Sequence, residues 1–269
     1  MKFDLHTHHI RCGHADGNIE DYILAGIEAG LQVIGISDHS PYFYHEEDQP
    51  SPGIAMARSD FANYVDEVLR LKHKYEGRIE VLLGMESDFF PEFADDYRRA
   101  YDGVPFDYLI GSVHQVGGVS IFNRNRWNNL RQSMHVAEKT SYYDLISQSA
   151  RSGMFDILGH IDAMKGYYPD FSHIPAHDAI DDCLKTIGEC GVSIEINTSG
   201  STKDVGGWYP SDEILERALH FGVGVTFGSD AHVPSRVGDE WDLVAKRLKE
   251  IGFKQWLFYR KRKPVAVPL

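Results

Sequence analysis

The chain has 269 residues, of which 42% are hydrophobic and 25% charged. This composition excludes a disordered, collagen-like or disulfide-scaffold protein. No apolar run approaches the roughly 20 residues of a membrane span, and the polar amino terminus predicts no secretory signal. The three cysteines form no CxxC motif, so we expect a cytoplasmic protein. A net charge of −13 disfavours nucleic acid polymers and membranes as partners, and we expect the basic run 260–263 to be a solvated surface segment.

Short apolar segments alternate with amphipathic segments along the chain. The apolar segments are predicted strands, and in chain order they cover residues 2–8, 32–39, 79–89, 108–116, 156–162, 192–200 and 224–232. The segments between them have helical periodicity, and we expect Ser59 to cap one helix, Ser211 to open another and Trp241 to lie in the last. No linker or repeat divides the chain, so we predict a single α/β domain over residues 1–269 with parallel strands and helical crossovers.

Polar residues stand at the ends of most predicted strands. Six histidines and two carboxylates occupy these positions, and they are His6, His8, His39, Glu86, His114, His160, Asp230 and His232. In an open sheet, strand ends spaced by about 4.8 Å would spread over roughly 30 Å. A closed barrel collects them at one mouth, where enzymes of this architecture have their active sites. We therefore predict a TIM-like barrel of seven strands, (β/α)7, with its active site at the carboxyl ends of the strands.

The spacing of the histidines indicates a metal site. His6 and His8 are two residues apart on a strand, so both side chains point to one face and can bind one ion. Burying many imidazoles together without a metal would leave polar nitrogens unsatisfied, although a single hydrogen-bonded core histidine is common. Imidazole with a few carboxylates suits zinc, iron, manganese or cobalt better than calcium or magnesium. We expect His9 to point to the other face and Cys12 to be a small packing residue.

The order of these motifs resembles that of the polymerase and histidinol phosphatase (PHP) family. The matching segments within residues 4–232 are Asp4-Leu5-His6-Thr7-His8, His14, Ser37-Asp38-His39, Gly84-Met85-Glu86, Gly111-Ser112-Val113-His114, Gly159-His160-Ile161-Asp162 and Gly228-Ser229-Asp230-Ala231-His232. Within the family, the stretches 88–92, 106–114 and 195–200 most resemble the histidinol-phosphate phosphatases. The resemblance implies the PHP fold, which is a distorted seven-stranded barrel, and a site for three metal ions.

Carried over motif by motif, the resemblance implies nine ligands for three divalent ions, which are zinc, iron, manganese or cobalt. The first ion would be held by His6, His8, Glu86 and Asp230. The second would be held by Glu86, His114 and His160, and the third by His14, His39 and His232. The implied reaction is hydrolysis of a phosphate monoester by attack of a metal-bridging hydroxide on phosphorus. We expect Glu86, Asp230 and His232 to take part in catalysis.

Loops near these motifs offer groups that could bind the substrate. The candidates are Arg124, Arg126, Lys165, Asn197 and Lys203. Family members usually carry an arginine or a pair of basic residues soon after the Asn-Thr-Ser-Gly stretch, where this chain has Lys203, a point charge without a bidentate contact. We expect a histidinol-phosphate phosphatase of histidine biosynthesis, acting on a small phosphorylated substrate. The alternatives are a PHP phosphoesterase for another small ester, such as a nucleotide or phosphotyrosine, and a non-catalytic metal-binding protein.

Overall fold

Strands and helices alternate as predicted in the computed structural model, which describes residues 1–269. The strands are β1 (Phe3–Asp4), β2 (Val33–Ile36), β3 (Glu80–Leu83), β4 (Glu86–Asp88), β5 (Ile110–Ser112), β6 (Gln115–Val116), β7 (Val119–Ser120), β8 (Ile157–Leu158), β9 (Ser193–Asn197), β10 (Gly224–Gly228), β11 (Gln255–Arg260) and β12 (Lys263–Pro268). The helices are α1 (Ile19–Glu28), α2 (Phe61–Lys74), α3 (Ala94–Tyr101), α4 (Gln132–Arg151), α5 (His177–Cys190), α6 (Asp212–His220) and α7 (Trp241–Ile251). No helix is both long and apolar enough to cross a membrane.

The parallel strands form two sheets. Their strand orders are β1-β2-β3 and β10-β9-β8-β5-β4. Isolated bridges, Thr7 with Ala231 and His39 with Glu86, connect residues beyond the strand ends at the two seams between the sheets. The predicted α/β fold is therefore confirmed, whereas closure into one ring of seven strands stays a prediction.

The helices begin close to the predicted residues. Ser211 is the N-cap residue of α6, as predicted, whereas Ser59 lies one residue before the N-cap of α2, and neither serine makes a side-chain capping bond. Helix α2 follows a short 3-10 turn, and Ser59 instead donates its hydroxyl to Asp48 Oδ2 at 2.7 Å. Ser211 precedes α6 in an extended conformation, and its backbone N–H donates to Asp162 Oδ2 at 2.9 Å. Both helices are held mainly by their apolar faces, because neither gains a side-chain capping bond.

Tyr108 fills the space between the two sheets. The side chain is fully buried, and its hydroxyl donates to the backbone oxygen of Leu5 at 2.5 Å. A Cβ at Gly35 would lie 2.0 Å from the Tyr108 hydroxyl oxygen, and one at Gly84 would lie 2.3 Å from Cζ of the same ring. Only glycine therefore lets these two strands approach the ring.

An antiparallel hairpin of β11 and β12 lies at the amino ends of the parallel strands. Trp256 packs against Phe3 with ring centroids 5.0 Å apart. Arg260 pairs with Glu80 at 2.5 Å, and Arg262 pairs with Asp156. The basic run 260–263 is mostly exposed, as predicted, but two of its arginines also pair with acidic partners.

Candidate active site

Glu86 lies at the centre of a cluster at the carboxyl ends of the strands. Its carboxylate is 1% exposed. Its Oε2 lies 2.8 Å from His39 Nδ1 and 3.4 Å from His6 Nε2. Its Oε1 lies 3.0 Å from His160 Nε2 and 3.5 Å from His114 Nε2. One carboxylate therefore faces imidazoles on both of its oxygens.

Asp230 forms the second acidic point of the cluster. Its Oδ1 lies 3.0 Å from His8 Nε2 and 3.7 Å from His6 Nε2. His232 stacks on His8 with ring centroids 4.1 Å apart, and its Nε2 lies 2.9 Å from His14 Nε2. All nine residues predicted as ligands thus lie in one cluster. Asp230 also has a φ of 53°, a strained conformation of the kind that collects at functional sites.

The buried donor atoms of this cluster fit a metal centre. His6 Nε2, His8 Nε2 and Glu86 Oε2 are buried and make no hydrogen bond of acceptable geometry, despite the close approach of His39 and Asp230. Such atoms cost free energy unless another group satisfies them. Their ligand atoms lie within 4.8 Å of one another. Three further groups have the same spacing: His8, His39 and His232; His39, Glu86 and His114; and His8, Cys12 and Asp38. Nitrogen-rich donors with one or two carboxylates are typical of zinc and other transition metals.

Carboxylates behind the cluster hold the imidazoles in place. His6 Nδ1 lies 2.8 Å from Glu195 Oε2, and His114 Nδ1 lies 2.8 Å from Asp88 Oδ1. Asp38 contacts His8 Nδ1 and His9 Nδ1, both at 3.1 Å. Such partners fix the orientation of the ring and make it a more basic ligand.

Sequence reasoning assigned no role to these three acids. The available signal was an acidic residue inside a buried strand, because Glu195 lies between Ile194 and Ile196 in the fully buried β9. Asp38 and Asp88 could also have been selected from the sequence, since each lies within two residues of a predicted ligand.

The electrostatics of the cluster couple metal binding to protons. Burial alone would lower the pKa of His6, but Glu195, Glu86 and Asp230 raise it well above its usual value. Burial would raise the pKa of Glu86, but His39 and the other imidazoles hold it well below its usual value. Burial and the charge of His8 lower the pKa of His232 to about 3, so that ring stays neutral. A metal must displace the protons of those imidazoles that are charged. Metal affinity is therefore expected to decrease as the pH decreases.

A cavity of about 620 Å³ opens onto the cluster. Beyond the cluster histidines, Glu86 and Asp230, its wall includes Tyr42, Ile54, Phe122, Tyr167, Lys203 and Arg236. Lys203 is the one predicted substrate-binding residue in this wall. The volume is large enough for a small phosphorylated metabolite.

The two predicted arginines make contacts within the protein. Arg124 forms a bidentate pair with Asp204 and lies with its guanidinium 4.1 Å from the Tyr167 ring centroid. Arg126 is 5% exposed, pairs with Glu138 and donates to the backbone oxygen of Val116 at 2.6 Å. Neither side chain lines the cavity. In this arrangement, a phosphate contact would require each guanidinium to leave its present partners.

Lys165 and Asn197 also lie outside the cavity wall. Lys165 is buried and donates to Asp162 Oδ2 at 2.7 Å and to the backbone oxygen of Trp208 at 2.9 Å. Asn197 donates through Nδ2 to Glu195 Oε1 at 2.5 Å and to Asp230 Oδ2 at 3.2 Å. In the structure, Asn197 orients an acidic member of the cluster.

Arg236 lines the cavity, although sequence reasoning did not select it. It lies four residues after His232, in the loop that follows β10. That position was the available signal, because loops at the carboxyl ends of barrel strands supply the groups that bind substrates.

The PHP domain model matches residues 4–199 of this sequence, which is well over half of the chain. The chain belongs to the PHP domain family. This PHP protein is 31% identical over 265 residues to a protein of Deinococcus radiodurans named "Probable histidinol-phosphatase", covering 97% of this chain and 98% of that protein. It is 28% identical over 266 residues to the histidinol-phosphatase of Bacillus subtilis, covering 92% and 99%.

Solved structures show the same PHP fold. The crystal structure of histidinol phosphate phosphatase from Lactococcus lactis, complexed with zinc, L-histidinol and phosphate, matches with a TM-score of 0.80 at 17% identity and covers 98% of both chains. A structure from Listeria monocytogenes, named "putative histidinol phosphatase", matches with a TM-score of 0.76 at 21% identity, covering 90% of this chain and 99% of that one. At such identities the likeness establishes the fold of this PHP protein.

Proposed function

We propose that the protein is a metal-dependent phosphomonoester hydrolase that converts L-histidinol phosphate and water into L-histidinol and phosphate, a step of histidine biosynthesis. The observation that carries this proposal is the convergence of buried, unpartnered donor atoms of His6, His8 and Glu86 beneath a cavity of about 620 Å³. The histidinol-phosphatase names of relatives that match nearly the whole chain support the choice of substrate.

We propose three divalent ions, drawn from zinc, iron, manganese and cobalt. Their ligands would be His6, His8, Glu86 and Asp230 for the first, Glu86, His114 and His160 for the second, and His14, His39 and His232 for the third. The converging group of His6, His8 and Glu86 supports the first set. The pairs Glu86 with His114 and His39 with His232, each within a further converging group, support the second and third sets. When bound, such ions lower the pKa of water toward neutrality and neutralise the charge on a phosphate. Only two of the nine ligands are carboxylates, so three bound divalent ions would leave a net positive charge at the base of the cavity. This charge suits an anionic substrate inside an acidic protein.

Asp230 is the residue best placed to handle a proton. Its Oδ2 accepts hydrogen bonds from Ser199 Oγ at 2.9 Å and from Asn197 Nδ2 at 3.2 Å, while its Oδ1 faces His8. One oxygen is thus anchored, and the carboxylate borders the cavity. We assign it the orientation of the attacking water and the shuttling of its proton, beside its role as a ligand of the first ion. His232 is neutral beside Asp230. It would act as a metal ligand, and its imidazole would lie at the reaction centre.

Closure of the two sheets into a distorted seven-stranded barrel within one domain, residues 1–269, belongs to the same proposal. Across one seam, the Leu5 N–H donates to Phe227 O at 3.1 Å and the His8 N–H donates to Ala231 O at 2.9 Å. Across the other, the Ser40 N–H donates to Glu86 O at 2.8 Å. The cytoplasmic location and the absence of a nucleic acid partner stay predictions from composition and charge.

The deciding experiment combines metal content per chain with steady-state kinetics. The full-length protein, loaded with zinc or manganese, is assayed against histidinol phosphate, nucleoside monophosphates and phosphotyrosine. We expect the highest kcat/KM on histidinol phosphate, loss of activity with a chelator and recovery when metal is restored. A much higher kcat/KM on another ester would identify a different PHP phosphoesterase, and activity on none would identify a non-catalytic metal-binding protein.

Isotope labelling tests the bond that is broken. In water labelled with ¹⁸O, attack on phosphorus places the label in the released phosphate. Label in the alcohol would show attack on carbon and would contradict the proposed chemistry.

A further inference from the structure

Two basic side chains other than histidines line the cavity, and they come from neighbouring loops. Lys203 follows β9 and Arg236 follows β10, and these strands are parallel neighbours with Gly228 opposite Asn197. Arg236 Nη2 donates to Ser201 Oγ at 3.2 Å, so the two loops also touch. Two cations thus lie on the same part of the cavity wall.

The guanidinium of Arg236 retains unused donors. Its Nη2 makes the contact with Ser201 and lies 2.7 Å from Asp239 Oδ2. Its Nε and Nη1 make no hydrogen bond to the protein, and the side chain is 31% exposed. An exposed ion pair between residues three apart contributes little to stability. The arginine is therefore oriented by its partners, while other N–H groups of this cavity-lining side chain remain free of protein partners.

We propose that Arg236 binds the phosphoryl group of the substrate and supplies the planar guanidinium for which Lys203 is a poor replacement. This inference rests on the proposed phosphatase function and adds to it a residue that determines recognition. A guanidinium holds two phosphate oxygens at once, whereas an ammonium acts as a point charge. The two cations also repel the ammonium group of histidinol, so this part of the cavity receives the phosphate end of the substrate.

The test compares Arg236→Gln and Arg236→Lys with Arg247→Gln. Arg247 is a matched control, because it is 35% exposed and pairs with Asp212 at 2.9 Å and with Glu250 at 3.1 Å. It lies outside the cavity wall. Each variant is made in the full chain and loaded with metal. The measurements are kcat and KM for histidinol phosphate, the Kd of inorganic phosphate by calorimetry, metal content and Tm.

We expect Arg236→Gln to raise both KM and the Kd of phosphate by about tenfold or more. Arg236→Lys should raise KM and Kd less than Arg236→Gln does, because lysine keeps the positive charge but lacks the planar guanidinium that holds two phosphate oxygens. Arg247→Gln should match the wild type, and metal content and Tm should stay constant throughout. If Arg236→Gln fails to fold, a drop in phosphate affinity for Arg236→Lys decides the question.

The two proposals fail in different ways. Values of KM and of the Kd for phosphate within twofold of the wild type would overturn the role of Arg236, while turnover of histidinol phosphate by the wild type would leave the proposed function standing. Conversely, a wild type that binds phosphate through Arg236 but does not hydrolyse histidinol phosphate would overturn the proposed function alone.

Discussion

Glu195 Oε2 lies 2.8 Å from His6 Nδ1, and both side chains are fully buried. The other oxygen of Glu195 accepts hydrogen bonds from the His160 backbone N–H at 3.1 Å and from Asn197 Nδ2 at 2.5 Å. The Glu195 carboxylate therefore fixes the imidazole of His6 and the backbone of His160 in the cluster. Because the His6 ring presents Nε2 to the cluster, a substitution of Glu195 should change the metal affinity.

Glu195→Gln is expected to lower metal affinity by about 10- to 100-fold, because the amide is a weaker acceptor for the His6 ring. Competition with a fluorescent chelator measures this affinity. Glu189→Gln, at an exposed position of α5, serves as the control. Unchanged affinity in Glu195→Gln would show that the contact does not tune the ligand.

Glu86→Ala is expected to reduce both metal content and turnover, because this carboxylate faces His39 on one oxygen and His160 on the other. We expect a loss of at least about a hundredfold in kcat/KM, the scale associated with removing metal-based charge stabilisation. Elemental analysis per chain and steady-state kinetics provide the measurements, with Glu92→Ala at an exposed position as the control. Full activity in Glu86→Ala would contradict the site described above.

Gly35→Ala is expected to reduce the free energy of unfolding by about 1–3 kcal/mol, because its methyl group would overlap the Tyr108 hydroxyl. Urea unfolding followed by circular dichroism measures the loss. Gly53→Ala is the matched control, since nothing lies within 4 Å of its added Cβ. Equal unfolding midpoints for the two variants would mean that Tyr108 moves aside at little cost.

The cysteines are expected to differ in reactivity toward iodoacetamide at pH 8. Cys190 is exposed, whereas Cys12 and Cys183 are buried. Burial raises the pKa of the Cys183 thiol to about 12, so almost none of it is thiolate at this pH. Mass spectrometry should show a single modification of the folded chain at Cys190 and none in Cys190→Ser. Rapid modification of Cys183 would indicate that α5 opens readily.

Local patterns were sufficient for the α/β fold and for selecting eight of the nine clustered residues, whereas His14 was selected through the resemblance to the PHP family. His6 and His8 are two residues apart, and that spacing alone places both rings on one face of a strand. The contacts of Arg126 and Lys165 could not be read in the same way, because the partners of both include backbone oxygens supplied by the fold. A basic residue near a motif looks the same in sequence whether it faces the cavity or the protein interior.

The hairpins formed by β6 with β7 and by β11 with β12 were also not predicted. The segment 108–116 reads as one apolar strand, yet it divides into β5 and β6, which pair with different partners. The basic run 260–263 forms the turn of the hairpin of β11 and β12, and its acidic partners lie far away in sequence. Pairing between distant segments depends on the assembled core, which periodicity does not encode.

The hairpin of β11 and β12 covers the end of the molecule opposite to the cavity. Its anchors, such as Trp256 against Phe3 and Arg262 with Asp156, involve no residue of the metal cluster. Heat tolerance can therefore be engineered at that end by filling gaps or adding ion pairs, without altering turnover. Libraries for a changed preference among esters belong instead in the loops that carry Lys203 and Arg236. Substitutions in the two regions can be combined because no residue of the hairpin lines the cavity.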